Sequence, residues 1–84
     1  MTSIAAAGNT VVPGILALEA AGFEVSIQAT ADRTTVRAVR NGDIYTADDP
    51  VTVLGLVRLL ELRGEVWQAT DDEITRTLAR HPHA

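Results

Sequence analysis

The chain has 84 residues, eleven acidic and seven basic side chains, a net charge of −4 and no cysteine. A domain of this length buries only about 60–65% of the surface its unfolded chain exposes. It has no disulfide to brace it and no thiolate to hold zinc. All seven basic residues are arginines, and an acidic chain without a lysine cluster is poorly matched to nucleic acid or an anionic membrane.

Residues 1–9 are small and without periodicity, and read as a mobile leader. Ile4 to Ala7 is too short for the apolar core of a secretory signal, and no basic residue precedes it. No apolar run reaches the length of a membrane span. The expected location is therefore the cytoplasm, with one α+β domain over residues 10–81 and a tail at 82–84.

Thr10 or a near neighbour starts a first helix, with Pro13 in its first turn and Gly22 as its stop. Ile15, Leu16 and Leu18 are its expected buried residues. Phe23 to Ala29 alternates, with Phe23, Val25, Ile27 and Ala29 on one side, as a half-buried strand does. Ala31-Asp32-Arg33 makes a turn, and the β-branched run Thr34 to Arg40 is a second strand. Asn41-Gly42 marks a type I′ hairpin, because both positions of that turn need positive φ. Asp43 to Ala47 is the third strand. A two-residue turn sets Arg40 opposite Asp43, Val39 opposite Ile44 and Ala38 opposite Tyr45. Val36, Ala38, Tyr45 and Ala47 are assigned to the core face, although the other face also carries apolar residues and the pattern admits the opposite choice.

A long helix follows from Pro50 to Arg63, with Asp49 as N-cap, Pro50 at the first helical position and Gly64 just past the end. Eight of the residues between Pro50 and Gly64 are Val or Leu. At about 100° per residue, Val53, Leu56, Val57 and Leu60 form one stripe, and Val51, Gly55, Leu59 and Leu62 a second on roughly the opposite side. Such a helix needs two burial partners. Thr70-Asp71-Asp72-Glu73 is a capping box opening a last helix to about Arg80. Ile74, Thr77, Leu78 and His81 share one side of it, and Asp72 and Arg76 form an i,i+4 pair. The fold class is α+β: a helix, a three-stranded antiparallel meander and two C-terminal helices.

Catalytic inventories are thin. Ser3 and Ser26 are the only serines, and both histidines, His81 and His83, flank Pro82 in the last four residues. Asp48-Asp49 and Asp71-Asp72-Glu73 could suggest metal or acid–base sites, but each lies at an expected helix N-terminus, where negative charge is favourable. Neither has a calcium-loop spacing, and no glycine loop is shaped for phosphate. The sequence therefore predicts no enzyme, no metal and no cofactor. Trp67 reads either as a core plug against the long helix, its indole N–H near the surface, or as an interface anchor. Arg33, Arg37 and Arg40 fall in the hairpin, as a recognition surface for an acidic partner or as a solvated edge that resists strand pairing.

The order helix, three-strand meander, long helix resembles the double-stranded RNA-binding domain family. In that family a basic cluster opens the helix after the sheet and grips phosphates. Here that position holds Ala47-Asp48-Asp49-Pro50, which would repel phosphate, so the resemblance implies shape alone. The stretch Ala47-Asp48-Asp49-Pro50 through Leu54-Gly55-Leu56, then Arg63-Gly64, Trp67 and Asp71-Asp72-Glu73-Ile74, resembles small uncharacterised proteins of GC-rich, actinobacterial-type bacteria and implies no activity. The reading is a non-enzymatic protein–protein interaction module, a small accessory or inhibitor-type protein that self-associates or docks on a partner through Val51, Gly55, Leu59, Leu62 and Trp67. The alternative is a nucleic-acid-binding module using the arginine-bearing hairpin.

Overall fold

The computed structural model describes residues 2–5 and 9–83. The expected leader and tail fall partly outside the described residues, since Met1, residues 6–8 and Ala84 are not among them. The elements are α1 (Val11–Ala20), β1 (Glu24–Ala29), β2 (Thr34–Arg40), β3 (Asp43–Ala47), α2 (Pro50–Arg63) and α3 (Asp71–Arg80). This is the expected α+β order. The strands form one antiparallel sheet in the order β1-β2-β3.

α1 ends in a Schellman motif. Gly22 takes φ +91°, its N–H bonds the carbonyl of Glu19 at 3.0 Å, and the Phe23 N–H bonds that of Leu18 at 3.0 Å. The apolar contact that accompanies this motif joins Phe23 to Leu18, and both side chains are buried. Arg40 secures the same corner. Its guanidinium lies 4.2 Å above the Phe23 ring and donates to the Ala21 carbonyl at 2.8 Å.

The hairpin register is the one the Asn41-Gly42 turn dictates, with φ of +52° and +85° at those residues and Arg40, Val39 and Ala38 opposite Asp43, Ile44 and Tyr45. Val36 and Ala38 are buried and Tyr45 and Ala47 partly so, which fixes the core face as expected. Val39 and Ile44 pair on the outer face. Along β1 burial stops at Val25. Ile27, opposite Val36 on the core side, is half exposed.

Leu18, Phe23, Val36, Ala38, Val53 and Val57 make the core, with Val25, Tyr45, Ala47 and Leu54 packed against it. Phe23 and Tyr45 meet edge to face with ring centroids 5.7 Å apart. Each enclosed aliphatic side chain supplies roughly 1.5–3 kcal/mol. α1 corrects one expectation: Leu16 is exposed, and Gly14 is buried beside Leu18. Gly14 and Leu18 share a face at i,i+4, whereas Leu16 lies about 200° from Gly14. A Cβ on Gly14 would lie 2.9 Å from the Pro50 Cβ, so glycine here lets α1 and α2 approach closely.

Candidate interaction surface

The surface begins with the anchoring of α2. The Asp49 carboxylate accepts the Thr52 N–H and the Thr52 hydroxyl, each at 2.7 Å, and these bonds hold its pKa below the usual carboxylate value. Gly64, at φ +78°, closes the other end, its N–H bonding the Leu60 carbonyl at 2.7 Å. The helix is thus capped at both ends. Val53 and Val57 are buried and Leu56 and Leu60 partly buried, so this stripe faces the sheet as expected.

The second stripe is covered only at its flanks, where Val51 lies against Gly14 of α1 and Leu59 lines the Trp67 cleft. Val51 is 38% exposed, Leu59 37% and Leu62 69%, and a Cβ on Gly55 would meet nothing within 4 Å. Trp67 lies against α2 as expected, but outside the core: it is 45% exposed. It shares a cleft of about 310 Å³ with Ile44, Tyr45, Leu56, Leu59 and Leu60, between β3 and α2. The five residues expected to form the interaction site therefore lie on α2 and the connector after it, on the outside of the molecule.

α3 does not cover that stripe. It has no buried residue, and its apolar side chains Ile74 and Leu78 are nearly half exposed. It is tethered through its polar side instead. Arg63, in the last turn of α2, forks onto Glu73 with N–O distances of 3.1 and 3.0 Å, and also donates to the carbonyls of Trp67 at 3.1 Å and Gln68 at 3.4 Å. Glu73 closes the capping box as well, accepting the Thr70 N–H at 2.9 Å while its own N–H reaches the Thr70 hydroxyl at 3.2 Å. The Arg63 guanidinium first, and the Thr70 N–H second, pull the Glu73 pKa down to about 2. The same carboxylate raises the pKa of Arg63. The expected Asp72–Arg76 pair takes another form, since Arg76 donates to the Asp72 backbone carbonyl at 3.3 Å.

The three hairpin arginines are not brought together. Arg33 pairs loosely with Asp48 at 3.8 Å, Arg40 lies on Phe23 on the core side, and Arg37 projects from the opposite face beside Glu19 and Glu24. Among the described residues, no three metal-ligating side chains gather, and no helix is long and apolar enough to cross a membrane. Ser26 lies in β1 while His81 and His83 follow α3.

Sequence reasoning missed two parts of this surface. Val12 and Leu16 give α1 an outer apolar face of its own, 64% and 59% exposed, and that face was legible in the helix period. The Arg63–Glu73 fork joins residues ten apart across a turn, and no local periodicity encodes it. Comparison with protein-family models, curated proteins and solved structures finds no match for the chain.

Proposed function

We propose that this chain is a non-enzymatic protein–protein interaction module of the cytoplasm that self-associates through the outer face of α2, acting as a small accessory or inhibitor-type protein. The observation that carries the reading is the Val51, Gly55, Leu59, Leu62 stripe, which folding leaves partly exposed beside half-exposed Trp67. Tryptophan is enriched among the anchors of protein interfaces, and a contiguous exposed apolar patch marks an interaction surface. Against the arginine-hairpin reading stand the engagement of Arg40 with Phe23 and the acidic Asp48-Asp49 entry to α2.

Light scattering at micromolar concentration tests it. The parent should show the mass of two chains, and Leu59→Glu should show that of one with an unchanged far-UV spectrum. A parent that runs as a single chain would overturn self-association.

A further inference from the structure

We infer that the free edge of β3 takes an extended peptide as a fourth strand, with one apolar side chain seated against α2 and Trp67 and one basic side chain on Asp43. The cleft beside Trp67 is lined by Asp43, Ile44, Tyr45 and Thr46, four consecutive residues of β3. Successive side chains of a strand point to opposite faces, so a cleft that touches all four runs along the edge of the strand. β2 occupies one edge. The cleft therefore follows the open one, and Leu56, Leu59, Leu60 and Trp67 form its far wall.

The hairpin register determines what that edge presents. The residues flanking a two-residue turn, here Arg40 and Asp43, exchange backbone hydrogen bonds, and the exchange recurs at every second pair. Asp43, Tyr45 and Ala47 thus bond to β2, while the N–H and C=O of Ile44 and Thr46 point away from it, to the cleft side. Neither residue has a further backbone partner among the described residues. Natural sheets blunt such edges with charge, proline or a bulge. The cleft at β1, on the opposite side of the sheet, is lined by Glu19, Glu24 and Arg37. β3 runs in unbroken register without proline, and Asp43 is its one charge.

A strand added to β3 is read at two positions. Its residue opposite Tyr45 shares the core face, where Tyr45, Leu56, Leu60 and Trp67 receive an apolar side chain. Its residue opposite Asp43 meets a carboxylate that makes no ion pair among the described residues, since Arg40 across the ladder is turned onto Phe23 and the Ala21 carbonyl. Opposite charges at facing positions stabilise a strand pair, so Lys or Arg fits there. In the antiparallel direction, the more stable per residue, the recognised pattern is an apolar residue followed two positions later by a basic one. Main-chain bonds supply affinity and the alternate side chains specificity, as in other cases of strand addition.

Random short peptides displayed on phage and panned on the full chain test this. Selected peptides should carry the apolar-x-basic pattern, and the commonest, made synthetically, should shift Trp67 emission. Thr46→Pro removes an edge N–H without costing a bond to β2. It should keep the far-UV spectrum and weaken that peptide about tenfold or more. The same peptide, methylated on the nitrogens that meet the edge, should fail on the parent chain, so the outcome does not depend on the variant folding. Asp43→Asn should weaken the unmodified peptide about threefold. In the complex the Ile44 and Thr46 amides should become protected from exchange, whereas Tyr45, bonded to Ala38, is protected beforehand. Asp43 and Thr46 lie outside the proposed self-association face, so both variants should keep the parent's mass whether or not that proposal holds. Selection of no peptide, selection without the basic position, full binding by Thr46→Pro, or unprotected Ile44 and Thr46 amides in the complex would each overturn strand addition. So would protection of those amides on raising the chain's concentration alone, which would place a second copy on the edge.

Discussion

Residues 11–60 and residues 61–83 follow the same local rules and reach opposite degrees of burial. Both regions contain capped helices with apolar stripes. In the first, Leu18, Phe23, Val36, Ala38, Val53 and Val57 close a core between one sheet face and two helices. In the second, every residue but Glu73 is exposed, and cohesion comes from hydrogen bonds: the Arg63 fork, the Thr70–Glu73 box and the carbonyls of Trp67 and Gln68. Amphipathic pattern and capping are enough to make a helix. Whether it is buried depends on what stands opposite, and α3 has nothing opposite it within this chain.

The largest effect should come from setting the two faces of α2 against each other. Val53→Asp places a charge in the closed core, where an unpaired ion costs several kcal/mol, and should abolish the folded far-UV and near-UV signals. Leu59→Glu, on the open face, should leave both intact. Equal unfolding of the two would erase the distinction between the faces.

Next come the two helical glycines, compared in the Leu59→Glu background to remove association. Gly14→Ala sets a methyl 2.9 Å from the Pro50 Cβ and should cost about 1–3 kcal/mol through overpacking. Gly55→Ala should instead gain up to about 1 kcal/mol from helix propensity. Opposite shifts in thermal midpoint are expected; shifts of the same sign would show that the α1–α2 approach is not tight at Gly14.

Thr70→Ala should cost about 1 kcal/mol of local helix stability. A ten-residue helix without packing is marginal in water, so amide exchange should quicken across α3 while β2 keeps its protection. A matching loss in β2 would mean that the two regions unfold as one.

The smallest effect is electrostatic. The folded pKa of Glu73 lies below its ordinary value, so the ionised carboxylate favours the latched form. That contribution is complete above pH 4.5 and fades as pH falls toward about 2. Helix signal from α3 should decline over that window. Glu73→Gln should show the reduced signal at neutral pH and no further loss in acid from this group, which separates it from the Asp49 cap of α2.

The elements were legible because their ends carry strong local chemistry. Asn41-Gly42 specified the hairpin and with it the pairing of Val39 with Ile44. Asp49-Pro50 and Gly64 bounded α2, and the Thr70 to Glu73 box opened α3. The two stripes of α2 followed from the 3.6-residue period. The outcomes that escaped were meetings of distant residues: Gly14 against Pro50, Arg40 over Phe23, Arg63 with Glu73. Periodicity tells which side of an element is apolar. It does not tell what that side meets, which is why Trp67 read as a core plug against the long helix and why α3 gave no sign of standing alone.

The position of Trp67 has a spectroscopic consequence. The only tryptophan stands in the connector, while the only tyrosine packs against Phe23 in the core. Indole emission will therefore follow events around the cleft and the α3 tether, and tyrosine absorbance those of the sheet and its helices. Melting curves recorded through the two chromophores coincide only when the regions unfold cooperatively. A gap between their midpoints measures how independent the regions are, in the unlabelled protein and without any substitution.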